Sequence, residues 1–184
     1  MPLGNRPLLG FLIERLRLCR TIDEVVVATS IENENDVIEE FCANEGIACF
    51  RGSEEDVLKR TLGALESVSA TIGVEVFGDC PLIDPLIVDD IVTKFLDHAR
   101  YDFIGNDLKT TYPPGMEVEV FSVAALQDSD DRVAASDPIR EHGTLFIRQN
   151  PQLYKVINLE AEGKRRRPEV ELEVDSQEDL DVVT

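Results

Sequence analysis

Between Glu24 and Thr29 the chain runs Val25, Val26, Val27 and Ala28 without a polar interruption. A strand that alternates can leave one face in water; an unbroken apolar run fits a central strand covered on both faces. A further strand is expected over 72–77, and segments of helical period lie between such runs. That alternation is the pattern of an α/β domain with a mostly parallel sheet and helices on both faces.

The other elements follow from local signals. Pro7 suits a first helical turn, and Leu8, Leu9, Leu12, Ile13 and Leu16 recur at helical spacing behind it. A helix over 35–45 stops at Gly46, where a left-handed cap is natural, and a short strand follows over 47–50. Ser53 with Asp56 three residues on resembles a capping box, and the helix it opens carries Val57, Leu58, Leu62 and Leu65. Asp84-Pro85 opens a helix reaching about residue 98. Strands are expected over 101–104 and, after the Pro113-Pro114-Gly115 turn, over 117–121, with Ser122 capping a short helix. A helix through 142–149, strands over 154–159 and 170–174, and a last helix capped by Ser176 complete one domain over residues 1–184.

Charge narrows the partners. With 18 Lys plus Arg against 37 Asp plus Glu, the formal net charge is −19. Such a surface repels phosphate backbones and anionic lipid, so neither nucleic acid nor a membrane is an expected partner. The one basic run, Lys164 to Arg167, reads as a solvated loop or a small anion contact. No stretch has the length to span a bilayer and the N-terminus lacks signal-peptide order, which points to the cytoplasm. Cys19, Cys42, Cys49 and Cys80 have no metal-ligand spacing, with His98 and His142 the only possible co-ligands. Reduced thiols are expected, Cys19 and Cys42 serving as small buried hydrophobes on helices.

In an open α/β sheet, ligands bind beyond the carboxyl ends of the strands. Asp79 follows the strand that ends at Phe77, and Asp175 follows the strand that ends at Val174. On neighbouring strands two such carboxylates suit Mg²⁺, although Asp is also common in turns and helix caps. Ser30, Gly52, Ser53 and Gly78 also fall at strand ends, and Arg51 and Arg60 flank the helix start at Ser53. Glu141-His142, inside the expected helix, can orient a substrate or form a surface pair.

Five strings occur in an order that resembles the cytidylyltransferase family: Val27 to Ser30, Arg51 to Arg60, Gly78 to Pro85, Glu141 to Thr144 and Val174 to Leu180. Within it the chain resembles the spore coat polysaccharide biosynthesis protein F type, related to the CMP-sialate and CMP-Kdo synthetases. The resemblance spans essentially the whole chain. It implies a Rossmann-like nucleotidyltransferase that joins a sugar, usually an acidic one, to CMP from CTP and releases pyrophosphate, working as a homodimer in surface polysaccharide biosynthesis. It further implies that Asp79 and Asp175 hold Mg²⁺ and are catalytic. The nucleotide would be faced by Ser30, Arg51, Gly52, Ser53, Asp56, Arg60 and Gly78, and the sugar by Gly115, Glu117, Glu119, Glu141 and His142.

The chain also departs from the family pattern. The first strand and its phosphate-cradling loop are missing upstream of Met1, Glu75 and Phe77 stand where Arg and Thr are usual, Gly143 replaces an apolar residue, and the last helix is short. These departures imply a truncated domain of reduced activity. They leave open a non-catalytic nucleotide-sugar-binding or regulatory module, and a guanylyl- or uridylyltransferase of the same fold.

Overall fold

A computed structural model describes residues 2–3, 6–97 and 100–183. In chain order the elements are β1 (Pro2–Leu3), β2 (Arg6–Pro7), α1 (Leu8–Leu16), β3 (Val26–Ser30), α2 (Asp36–Glu45), β4 (Ala48–Gly52), α3 (Val57–Ser67), β5 (Ile72–Glu75), α4 (Pro85–Leu96), β6 (Phe103–Gly105), β7 (Glu119–Ser122), α5 (Val123–Arg132), α6 (Leu145–Gln149), β8 (Val156–Asn158) and α7 (Gln177–Val183). Strands β3 and β4 pair in parallel, from Val26 opposite Ala48 to Ser30 opposite Gly52, but as a two-stranded sheet, so β3 is not the central strand covered on both faces that the apolar run suggests: Val26 and Val27 are half-buried and Ala28 is exposed. A four-stranded sheet has the order β5-β7-β6-β8, and β1 pairs antiparallel with β2. The α/β class read from the sequence is the one the chain adopts.

The chain divides into two compact units, each built from separated segments. The first comprises Met1–Asp23, Val74–Val120 and Ile157–Thr184. Its core is made by Leu12 and Ile13 of α1, by Ile87, Val88, Ile91 and Val92 of α4, and by Phe103, Ile104, Val118 and Val120. Leu8, Val174 and Leu180 form a further buried cluster with Phe11 against it, which pins the chain before α7 to the start of α1. The second unit comprises Glu24–Gly73 and Phe121–Val156. Leu58 and Leu62 of α3, Phe121, Leu126 of α5, Ile147 and Tyr154 are among its buried apolar groups, and Cys42 is fully enclosed on α2.

Several local signals act as expected. Gly46 caps α2 at φ +66°, Asp84 accepts from the Leu86 N–H ahead of α4, and Ser122 accepts from the Ala125 N–H ahead of α5. Others are corrected. Asp56, not Ser53, is the N-cap of α3: its Oδ1 accepts from the Lys59 N–H at 2.9 Å, while Ser53 Oγ accepts from the Asp56 N–H. A carboxylate next to the helix start meets the orphan amides directly, so the helix begins three residues later than the box implies. The expected helix over 142–149 is only Leu145–Gln149; Glu141 ends a 3-10 turn and His142 is extended at φ −129°. Asp137 and Pro138 open that turn, and the exposed His142 and buried Gly143-Thr144 link do not continue it. Pro7 lies before α1 and not in its first turn.

Residues 170–174 form no strand. Leu172 N–H donates to the Pro114 carbonyl at 2.8 Å and Val174 N–H to the Asp79 carbonyl at 2.9 Å, so the run is extended but bonded to two loops, and no ladder can propagate.

Candidate functional site

Within the first unit the two loop contacts of residues 172–174 gather the acidic groups. β5 ends at Glu75 and a turn closed by the Cys80 N–H on the Phe77 carbonyl, 3.2 Å, presents Gly78 and Asp79. The Val174 N–H reaches the Asp79 carbonyl, so Asp175 leaves the main chain one residue from Asp79's neighbour. The structure therefore brings together the two aspartates singled out in the sequence, through a backbone bond and not through adjacent ladders. Gly78 is exposed, and a Cβ there would have no atom within 4 Å, so a ligand can approach its backbone.

The Pro113-Pro114-Gly115 turn supplies the other wall. Gly115 has φ +94°, and a Cβ on it would lie 2.6 Å from the Leu172 carbonyl carbon and 2.7 Å from the Glu173 nitrogen. Only glycine allows that approach. Its N–H donates to Glu117 Oε2 at 2.6 Å. Asn106, buried, keeps the following residues straight: Nδ2 donates to the Met116 carbonyl at 2.7 Å and Oδ1 accepts from the Val118 N–H at 2.8 Å. Glu119, by contrast, has no exposed surface, so a sugar at the surface cannot reach its carboxylate.

Cys80 Sγ and carboxylate oxygens of Glu117 and Glu173 all lie within 4.8 Å of one another. Burial, and then the negative charge of Asp79 and Asp175, pushes Glu173 above the usual carboxylate range. Burial likewise raises Glu117, with Glu173 and Asp107 adding to it against the Gly115 N–H bond. Burial beside Asp79 raises the Cys80 thiol strongly, so it stays protonated, and it donates to Asp79 Oδ1 at 3.3 Å. The donor set fits a hard divalent cation: carboxylate oxygens crowd together under a charge that such an ion relieves, and a protonated thiol competes poorly for it. Cys80, Glu117 and Glu173 are close enough to share one ion; Glu173 and Asn106 escaped the sequence reading. The alternation Glu171-Leu172-Glu173-Val174 was the available sign that Glu173 points away from the buried Val174.

The second group of expected site residues belongs to the other unit. Arg51 is spent internally: Nε donates to the Ser30 carbonyl at 3.0 Å, Nη2 to the Glu32 carbonyl at 2.9 Å, and Nη1 to Asp36 and Glu39 at 2.6 and 2.7 Å. It ties the ends of β3 and β4 to α2 and has no nitrogen left over for an anion. Ser30 Oγ accepts from Asn35 Nδ2 at 2.7 Å. Arg60 Nη1 folds over the Ser53–Glu54 turn and donates to the carbonyls of both residues, 3.1 Å at Glu54; its side chain lies where a Cβ on Gly52 would stand, 2.9 Å from Cγ. Arg51 and Arg60 thus hold the loop internally; Ser53 is exposed, although its carbonyl takes Arg60 and its Oγ takes the Asp56 N–H. Asp56 also takes Arg140 Nε at 2.9 Å, a partner 84 residues away that no local pattern announces. Glu141 and His142, next to Arg140, are exposed.

Within the first unit three members of the basic run are paired, Arg165 with Asp90, Arg166 with Glu160 at 3.4 Å and Arg167 with Glu169. His98, considered as a metal ligand, lies outside the described residues. Burial raises the thiols of Cys19 to about 11 and of Cys42 to about 12, which leaves both as weak nucleophiles. Among the described residues no helix is long and apolar enough to cross a membrane.

Three comparisons bear on this geometry. The family described as Cytidylyltransferase matches residues 1–183. The spore coat polysaccharide biosynthesis protein SpsF of Bacillus subtilis is 35% identical over 99% of this chain and 76% of its own length. The solved structure of a cytidylyltransferase from Leptospira borgpetersenii superposes with a TM-score of 0.91 at 33% identity, covering 100% of this chain and 76% of that one. A CMP:2-keto-3-deoxy-manno-octonic acid synthetase solved with CTP shares the fold, with a TM-score of 0.68 at 15% identity over 100% of this chain and 88% of that one.

Proposed function

Since the chain belongs to the cytidylyltransferase family, we propose that it is a nucleotidyltransferase of surface polysaccharide biosynthesis, moving CMP from CTP to an acidic sugar. The observation that carries the reading is the pairing of Val174 with Asp79, which sets Asp79 and Asp175 on adjoining stretches of chain beside Glu117 and Glu173. The CTP held by the CMP:2-keto-3-deoxy-manno-octonic acid synthetase of like fold supports the nucleotide, and the SpsF name supports the pathway.

In this reaction an acceptor hydroxyl oxygen attacks the α-phosphorus of CTP. The bond between that phosphorus and the bridging oxygen breaks, pyrophosphate leaves with the bonding electrons, and the hydroxyl proton passes to solvent. Asp79 and Asp175 would hold Mg²⁺, which would offset the charge of the α-phosphate and the departing pyrophosphate. The exposed Gly78 backbone leaves room for the nucleotide beside Asp79. Gly115 and Glu117 shape the acceptor side in the same unit; the second unit, taken by itself, offers Ser53 and the start of α3 to base and ribose and Glu141 and His142 to a sugar. Arg51 and Arg60 serve the nucleotide by holding that loop. The enzyme acts in the cytoplasm, where CTP is made, as a homodimer.

The test is pyrophosphate release with CTP, MgCl₂ and a panel of acidic sugars that includes 2-keto-3-deoxy-manno-octonate. Release that needs both CTP and acceptor is expected. CTP binding by calorimetry with no release from any acceptor would assign a nucleotide-binding module instead.

A further inference from the structure

Four charged side chains close a ring in the second unit. Arg140, buried in the Pro138–Glu141 turn, donates from Nε to Asp56 Oδ2 at 2.9 Å, from Nη1 to the Val133 carbonyl at 3.0 Å, and from Nη2 to Asp130 Oδ1. Asp130 Oδ2 accepts from Lys59 Nζ at 2.8 Å, and Lys59 N–H returns to Asp56 Oδ1 at 2.9 Å. The Arg140 side chain is 7% exposed and Asp130 9%, so the centre of the ring is desolvated, whereas Lys59 closes it from solvent at 62%.

Such a centre is a poor means of stabilising a fold, because apolar residues of equal volume do as well or better. What it does supply is geometry. The planar guanidinium accepts only one arrangement of three oxygens, so Asp56 is fixed in the rotamer that caps α3 while the turn is fixed against α5. The turn ends in Glu141 and leads directly to His142; α3 begins directly after Asp56.

We infer that Arg140 is a positioning residue that locks the nucleotide-facing start of α3 to the Glu141-His142 turn, making the two substrate-contacting segments of this unit one rigid element. The inference rests on the reading that these segments face nucleotide and sugar. Arg140 touches neither substrate. Its charge alone does not suffice: lysine keeps the cation but cannot reach three acceptors in one plane.

Calorimetry with CTP and MgCl₂ tests it on wild type, Arg140→Lys and the stability control Leu126→Ala, a buried α5 residue outside the ring. Wild type that does not bind CTP overturns the nucleotide reading itself. Given wild-type binding, a folded Arg140→Lys is expected to bind CTP about tenfold more weakly. Leu126→Ala is expected to lose as much or more in melting temperature while binding CTP as wild type does. Arg140→Lys that binds CTP within about twofold of wild type overturns the inference, as does an equal loss in Leu126→Ala. Should Arg140→Lys not fold, Asp130→Asn, which releases Nη2 and leaves the Asp56 pair in place, decides: CTP binding weakened about threefold supports the lock, and unchanged binding refutes it.

Discussion

The Val174 N–H donates to the Asp79 carbonyl at 2.9 Å, and this one backbone bond sets the spacing of the carboxylates at the proposed reaction centre. Asp79 is held from its own side by the turn after β5. Asp175 is held through the burial of Val174 against Leu8 and Leu180, and by the Ser176–Asp179 cap, in which Asp179 Oδ2 accepts from Ser176 N–H and Oγ at 2.8 Å. Both aspartates are placed through the main chain, and of the Asp79 carboxylate only Oδ1 is engaged, by the Cys80 thiol at 3.3 Å.

Asp79→Asn and Asp175→Asn are therefore expected to lower kcat by about 100-fold or more, since each removes a full negative charge from the pair proposed to hold the metal. Asp175 is exposed, so its variant should keep wild-type stability to within about 0.5 kcal/mol. Pyrophosphate release beside thermal melts checks both. Full turnover in either variant would remove that residue from the reaction.

Gly115 and Gly78 make opposed predictions. At Gly115, φ +94° and a Cβ 2.6 Å from the Leu172 carbonyl carbon mean that Gly115→Ala must push residues 172–173 away, costing about 2 kcal/mol or more and disturbing Glu173. Gly78→Ala meets open space and should leave stability within about 0.5 kcal/mol of wild type while weakening CTP binding. Urea titrations of the two variants separate a backbone constraint from a ligand constraint.

Glu117 makes stability depend on pH in an identifiable direction. Burial, reinforced by Glu173 and Asp107, raises its folded pKa above the ordinary 4.5, so between those two values the folded state binds more protons than the unfolded one. Stability is then undiminished below 4.5, falls as pH rises through the raised value, and stays lowered above it. Glu117→Gln keeps an acceptor for the Gly115 N–H and removes the charge. Without divalent cation it should be more stable than wild type at neutral pH, the difference closing as the pH drops below 4.5. Chemical denaturation at several pH values measures that difference, and a gap that widened in acid would reverse the assignment.

Asn106→Ala strands the Met116 carbonyl and the Val118 N–H inside the first unit. Two unpaired buried backbone groups predict a loss of about 2–4 kcal/mol, large for the removal of one polar side chain. A denaturant midpoint close to wild type would mean that water replaces the amide.

Where the sequence reading succeeded, the determining interactions are local. The apolar run at Val25 to Ala28 became the parallel strand β3, Gly46 and Asp84 capped their helices, and the Gly78-Asp79 turn emerged at the end of β5. It failed where a residue's partner is remote. Arg51 beside a helix start looks available for an anion, yet four groups from β3, α2 and the loop between them consume it. Residues 170–174 alternate as a strand does, yet their amides meet loops.

The sequence by itself determined the α/β class and the family, because periodicity, capping and short strings are properties of neighbouring residues. Only the tertiary structure decided that Glu173 joins Glu117 at the acidic cluster, that Asn106 straightens the chain leading to Val118, and that Arg140 holds Asp56. Each of these depends on burial together with an oxygen or amide supplied from another segment, and the free energy of such a contact is set by the desolvated surroundings that folding creates.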